Sequence, residues 1–401
     1  MPIKIIKKVI TGYRFTALMV MNILVVFLLL NGLMSLVFLF IDHDDTNPVS
    51  NRYGHSAVKE VYPGWSDEQI NVLLEETWSR PYIYEPFTQY KERAFRGTYV
   101  NVNENGFRES KNQGSWPPDE DALNIFLFGG STMFGYGVPD DQTIGSHLQF
   151  LLEQKLNRKV RVYNFGRGDY YSTQERILYE SFLTAGVIPD VALFLDGLND
   201  FPNLANVPIF TNRFHHFFAE NEPGGADLSF IFNSSLGRAA MELKSMMSEL
   251  KRELDGHAQS DQDIPFEPDL DGEHKLNPQD IVIQRYLKNK KMIEAISKSF
   301  GVTPIFVWQP IPNYHYEQKY HPFAPDGYDE FDSAKYGYER FAELLQEEPL
   351  ADNFLWCADL QKDMTSPLYV DRVHYSGSFS QELAGEIVDM IDRRFLLSRI
   401  D

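Results

Sequence analysis

Four short blocks carry the residue types of acyl-transfer chemistry: Phe128-Gly129-Gly130-Ser131-Thr132, Asn164-Phe165-Gly166-Arg167-Gly168-Asp169, Asp196-Gly197-Leu198-Asn199-Asp200 and Asp371-Arg372-Val373-His374. A serine hydroxyl is a poor nucleophile until a base takes its proton as it attacks, and a neighbouring imidazole can do that. His374 is the candidate base. Asp371, three residues earlier, can accept from the other ring nitrogen, fixing the tautomer and stabilising the imidazolium that forms. The oxyanion of a tetrahedral intermediate then needs preorganised donors. Two glycines let the chain turn sharply and leave the Ser131 N–H free, the second block offers unencumbered backbone, and the Asn199 amide can project over a sheet edge. Each block alone is an ordinary turn or helix start; the signal is their order along the chain.

The elements that must position these blocks are legible from residue 124 onward. Apolar runs at 125–128, 160–163, 191–195, 304–308 and 354–357 alternate with amphipathic stretches at about 143–156, 172–185, 280–300, 336–346 and 378–397. Short apolar strands interleaved with helices predict βαβ units and a parallel sheet covered on both faces, a doubly wound α/β/α sandwich with five strands. In such a sheet ligands gather where loops leave the carboxyl ends of strands, and the four blocks fall there. Ser172-Thr173-Gln174-Glu175 and Ser66-Asp67-Glu68-Gln69 read as capping boxes.

Together the four blocks resemble the SGNH hydrolases, also called the GDSL esterase/lipase family, over about residues 124–397. The resemblance implies a flavodoxin-like sandwich, with Ser131 as nucleophile, Asp371 and His374 as its partners, and an oxyanion hole formed by Ser131, Gly168 and Asn199. The family's first block often reads Gly-Asp-Ser, whereas Gly130 precedes the serine here. The resemblance implies no cofactor and no metal.

Ahead of this domain, residues 17–41 run without a charge, long enough at about 1.5 Å per residue to cross a hydrocarbon core of about 30 Å. Lys4, Lys7, Lys8 and Arg14 precede the span and Asp42-His43-Asp44-Asp45 follows it, so residues 1–16 are expected in the cytoplasm and the remainder in the periplasm or outside the cell. The expected organisation is a basic tail (1–16), a membrane anchor (17–41), an exported segment and linker (42–123), and the catalytic domain (124–401) with an insertion at about 201–280. Within the exported segment, Asn105-Gly106 marks a turn or short hairpin, and Arg108 reads as a structural salt-bridge residue.

Composition narrows the partners. With 401 residues, 37 Lys plus Arg against 57 Asp plus Glu and a formal charge of -20, the chain is not a nucleic-acid binder. The single cysteine, Cys357, excludes an intramolecular disulfide framework and multi-cysteine metal sites. Gly129 to Gly137 lacks the Gly-Lys-Ser/Thr of a phosphate loop, and Gly166-Arg167-Gly168 lacks a third dinucleotide-binding glycine. Glu267, Asp269, Asp271 and Gly272 open like a calcium loop, but Pro278 stands where a glutamate is needed. His215-His216 reads as a surface or lid feature, and Asn233-Ser234-Ser235 as a sequon only in a glycosylating host.

Trp308, Tyr314 and His315, leaving the fourth strand, are candidates for stacking on a sugar face, with packing against the insertion as the alternative. The expected activity is a serine esterase acting on an acylated saccharide, lipid or small molecule. An acyltransferase with the same triad and a non-catalytic binding module are the alternatives.

Overall fold

A computed structural model describes residues 2–41, 49, 54–220, 234–235, 277–324 and 332–393. The acidic run at 42–45, the polar helix expected at 236–254, the calcium-like acidic loop and Asn233 lie outside the described residues, as do the side chains of His215 and His216. The chain divides into two compact units, residues 1–46 with 213–265, and residues 47–212 with 266–401.

The first unit contains α1 (Pro2–Ile41). Its stretch Ile10–Val37, 28 residues, is long and apolar enough to cross a membrane, and it contains no fully buried residue.

The second unit begins with α2 (His55–Val61) and α3 (Asp67–Trp78). The Ser66 capping box forms in both directions: Ser66 Oγ accepts from the Gln69 N–H, and Gln69 Oε1 accepts from the Ser66 N–H. Two antiparallel pairs follow, β1 (Ile83–Glu85) with β2 (Gln89–Lys91) and β3 (Phe95–Arg96) with β4 (Asn101–Val102). The turn expected at Asn105-Gly106 is present, closed by the Gly106 N–H on the Asn103 carbonyl and by a bridge between Val102 and Arg108.

The regular part runs β5 (Leu123–Gly129), α4 (Ser131–Phe134), α5 (Ile144–Leu156), β6 (Val160–Asn164), α6 (Ser172–Thr184) and β7 (Val191–Asp196), and resumes, past α7 (Thr211–Glu220), most of which belongs to the first unit, with α8 (Pro278–Phe300), β8 (Thr303–Trp308), α9 (Asp332–Glu347), β9 (Phe354–Trp356) and α10 (Gly377–Arg393). Five parallel strands lie in the order β6-β5-β7-β8-β9, which is the flavodoxin-like order of a doubly wound sheet.

Side-chain alternation sorts the core by type. Phe126, Phe128, Phe194, Phe306 and Trp308 point to the face covered by α6 and α8, whereas Ile125, Leu127, Leu193, Leu195, Ile305 and Val307 point to the face covered by α5 and α10. Phe128, Phe194 and Phe306 stack across three neighbouring strands, with centroids 4.9 and 5.4 Å apart. Truncating one such ring costs about 3–5 kcal/mol.

Two local expectations need correction. The helix expected from about 336 begins at Asp332. The capping box at Ser172 does not form: the N-cap is Tyr171, Ser172 Oγ donates instead to Asp200 Oδ1 at 2.6 Å, and Glu175 turns inward to full burial. A buried acceptor close at hand outcompetes the local backbone for that hydroxyl.

Candidate active site

The site lies at the carboxyl ends of β5 and β7, where the strand order reverses direction. From β5 the chain passes through Gly129 and Gly130 into the single turn of α4, which starts with Ser131. The reason for Gly130 is close approach: its φ is -78°, and a Cβ there would run into the Asn199 amide. Asn199 Nδ2 donates one hydrogen to the Tyr170 carbonyl at 2.8 Å. Its second hydrogen and the Ser131 N–H are the donors available beside the Ser131 hydroxyl.

On the far side of the sequence, the loop before α10 is folded back by the Val370 N–H on the His374 carbonyl and by a Tyr369–Tyr375 bridge. This sets Asp371 beneath its own loop. Asp371 Oδ1 accepts from the N–H groups of Val373 and His374 at 2.9 and 2.8 Å, and Oδ2 meets His374 Nδ1 at 2.7 Å. His374 Nε2 lies 2.7 Å from Ser131 Oγ. Burial acts to raise the Asp371 pKa, but His374 and the two backbone donors outweigh it, so the carboxyl stays below its ordinary range and ionised at neutral pH. Ser131, His374 and Asp371, separated by up to 243 residues, therefore form one continuous hydrogen-bonded line.

Gly168 departs from expectation. A Cβ there would overlap the Tyr82 hydroxyl, so only glycine fits, yet its N–H is already committed to Glu92 Oε1 at 3.3 Å. The second block is not unencumbered. Glu92 is buried, pairs with Arg80 Nη1 at 2.9 Å, and also accepts from the Tyr136 hydroxyl at 2.8 Å. Tyr136 in turn stacks on the His374 ring at 5.2 Å, and Trp78 meets the same ring edge-on at 5.3 Å.

The segment at 54–113 thus builds one wall of the site. Arg80 and Arg108 each place a guanidinium over the Phe134 ring of α4, at 4.8 and 5.0 Å. Arg108, fully buried, pairs with Asp140 at 2.7 Å and donates to the carbonyls of Gly135 and Val138, which fixes the chain leaving α4. Its structural reading holds. Arg80, Glu92, Trp78, Tyr82 and Tyr136 were missed by sequence reasoning. The available signal was charges of both signs, Arg80, Glu85, Lys91 and Glu92, in an aromatic-rich stretch.

The residues leaving β8 are not brought to Ser131. Trp308 and Tyr314 belong to the aromatic core with no surface to offer a ligand, because Trp308 shares the inward phase of Phe306. His315 is exposed, stacks on Tyr314 at 3.9 Å, and pairs through Nδ1 with Asp359. From that side the buried Gln309 accepts from Thr132 Oγ1, on the residue after the nucleophile candidate, at 2.7 Å and from the Tyr375 hydroxyl at 3.0 Å. Among the described residues, no group of three or more His, Cys, Asp or Glu is arranged to hold a metal.

No family model and no curated protein matches the chain. Among solved structures it is similar to a member of the lipolytic G-D-S-L family from Veillonella parvula, at 13% identity and a TM-score of 0.36, covering 68% of this chain and 100% of the other. It is also similar to a lipase from a goat-rumen metagenome, at 13% identity and TM-score 0.34 over 67% of this chain and 97% of the lipase. The esterase EstA from Pseudoalteromonas is similar at 10% identity and TM-score 0.32, over 68% of this chain and 98% of the esterase.

Proposed function

We propose that the chain is a serine ester hydrolase of the SGNH type, carried on a membrane anchor. The observation that supports it is the line from Asp371 Oδ2 through His374 to Ser131 Oγ, with both contacts at 2.7 Å. As Ser131 Oγ attacks the ester carbonyl, its proton passes to His374 Nε2, and the ionised Asp371 offsets the charge on the ring. The carbonyl oxygen becomes an oxyanion held by the Ser131 N–H and the free hydrogen of Asn199. Collapse expels the alcohol, which takes the proton from His374, and leaves an acyl-enzyme. Water then attacks with His374 again as base, and the acid departs with Ser131 restored.

In this reading Gly168 contributes through its small size and not through its N–H, since Glu92 holds that group. Two donors in place of three lower the ceiling on rate, because one oxyanion donor is worth about 2.7–4 kcal/mol of barrier. Helix α1 anchors the protein, with Lys4, Lys7, Lys8 and Arg14 retained in the cytoplasm and the hydrolase outside it.

Two experiments test this. A fluorophosphonate probe is expected to label the protein once, and Ser131→Ala to abolish labelling while leaving the thermal midpoint in place; labelling that survives moves the nucleophile elsewhere. Alkaline phosphatase fused after Asp45 is expected to be active, and an inactive fusion reverses the topology.

A further inference from the structure

The four consecutive residues after α4 are all held by the segment at 54–113. Arg108 donates to the carbonyls of Gly135 and Val138 at 3.1 and 2.8 Å, and the Tyr62 hydroxyl donates to the Gly137 carbonyl at 2.7 Å. Between them the Tyr136 hydroxyl donates to Glu92 Oε1 at 2.8 Å. The Tyr136 N–H closes the turn on the Ser131 carbonyl at 3.2 Å, so the phenol hangs from the residue that carries the nucleophile.

The turn delivers the Tyr136 ring to His374. The two rings lie 25° from parallel with centroids 5.2 Å apart, and Trp78 meets both edge-on, at 5.3 Å from His374 and 5.0 Å from Tyr136. An aromatic face beside an imidazole attracts the positive charge the imidazole acquires as a base, and does so more strongly where water is excluded. Tyr136 is buried, and burial with Glu92 beside it pushes the phenol well above its ordinary pKa, so it stays a donor. Donation to the Glu92 carboxyl, itself paired with Arg80, polarises the phenol and enriches its ring. The other titratable groups facing the imidazole are Asp371, at Nδ1, and Asp169, at electrostatic range. Asp371 acts in the plane of the ring; Tyr136 covers a face.

We propose that Tyr136 is a positioning residue for His374: held by Glu92 against one face of the imidazole, it steadies the ring between Ser131 and Asp371 and stabilises the imidazolium formed when Ser131 gives up its proton. This rests on the serine-esterase reading of Ser131 and His374. Tyr136 takes no part in bond making.

The test follows the second-order rate of fluorophosphonate labelling of the full chain in detergent from about pH 5 to 9, a range that spans the imidazole titration. Support of the imidazolium raises the His374 pKa, so its removal has two separate consequences. The labelling rate on its high-pH plateau falls, and its acid limb moves to lower pH. Tyr136→Leu is expected to lower the plateau about tenfold and to move the limb down by about one pH unit. Tyr136→Phe keeps a stacked ring and loses Glu92, so a fall of about threefold and a shift of about half a unit are expected. Circular dichroism checks that both fold; Tyr136→Phe, which removes one oxygen from a buried ring, carries the test if Tyr136→Leu does not. A limb unmoved in a folded variant, whatever the plateau does, shows that Tyr136 only fills space and overturns the proposal. A limb that moves to higher pH also overturns it, because the stack would then have been opposing the charge by keeping water from the ring. If the fluorophosphonate does not label Ser131 in the wild type, the serine-esterase reading itself falls. Labelling of Ser131 with an unmoved limb removes only the role given to Tyr136.

Discussion

Asp371 and the trio Glu175, Asp196 and Asp200 are all withdrawn from water, and they titrate in opposite directions. Asp371 receives two backbone N–H groups and the His374 ring, and its pKa falls below the ordinary carboxylate range although burial acts to raise it. Around the carboxyl end of β7, burial raises all of the trio; neighbouring carboxylates add to it for Glu175 and Asp196, whereas Arg285 and Ser172 pull Asp200 part of the way back. Glu175 Oε2 and Asp196 Oδ1 are both buried without a hydrogen-bond partner among the described residues. Burial alone would have made every one of these groups a neutral acid; the number of donors around each decides which keeps its charge. Asp371, whose value is lowered, backs the ring that meets Ser131. Asp196 and Asp200, whose values are raised, lie at the end of β7 and on the loop that carries Asn199.

The sharpest test of that contrast is to neutralise one acid on each side. Asp371→Asn is expected to lower kcat on an aryl acetate by about 10⁴, since the lost charge held the ring and its proton. Glu175→Gln changes a buried carboxyl whose pKa is already raised by burial and by Asp196, so turnover should stay close to wild type. Equal losses in the two variants would dissolve the distinction.

Next in size is the buried pair behind the site. Arg80→Met takes the guanidinium away from the buried Glu92 carboxyl, and should cost about 3–5 kcal/mol in denaturant unfolding. A loss under 1 kcal/mol would mean that water reaches Glu92.

For Asn199→Ala, kcat should fall about 10²- to 10³-fold with KM little changed, because the amide acts on charge that develops in the transition state. A rise in KM alone would reassign Asn199 to substrate positioning.

The smallest effects are on stability against pH. His321 is buried, donates from Nε2 to the Arg372 carbonyl, and burial lowers its pKa to about 4. The unfolded chain therefore takes up a proton near pH 6.5 that the folded one refuses. Stability should fall between about pH 6.5 and 4 by roughly 3 kcal/mol, and the decline should flatten in His321→Gln. The trio acts the other way. Its raised values mean that the folded state holds protons the unfolded chain has released, so its contribution is present at low pH and is lost as pH rises above the ordinary carboxylate range. Glu175→Gln should accordingly raise the thermal midpoint at pH 8 more than at pH 5 in calorimetry; a uniform shift would show that the Glu175 carboxyl is not raised in the folded state.

Local chemistry along the chain was enough to specify the sheet, because a parallel strand buried on both faces must be apolar throughout, as the runs ending at Phe128, Leu195 and Trp308 are. It also singled out Ser131, Asp371 and His374, which the structure brings into one hydrogen-bonded line, and Asn199, whose amide lies beside Gly130. Only the tertiary structure decided that Trp308 and Tyr314 are core, that Ser172 serves Asp200 and not its own helix, and that Glu92 occupies the Gly168 amide. Each of those outcomes depends on a partner dozens of residues away, and neither periodicity nor spacing can reveal which buried donor will find which acceptor. The same holds for the wall made by Trp78, Arg80, Tyr82 and Glu92: a charge pair becomes structural only once folding has removed the water that would otherwise solvate it.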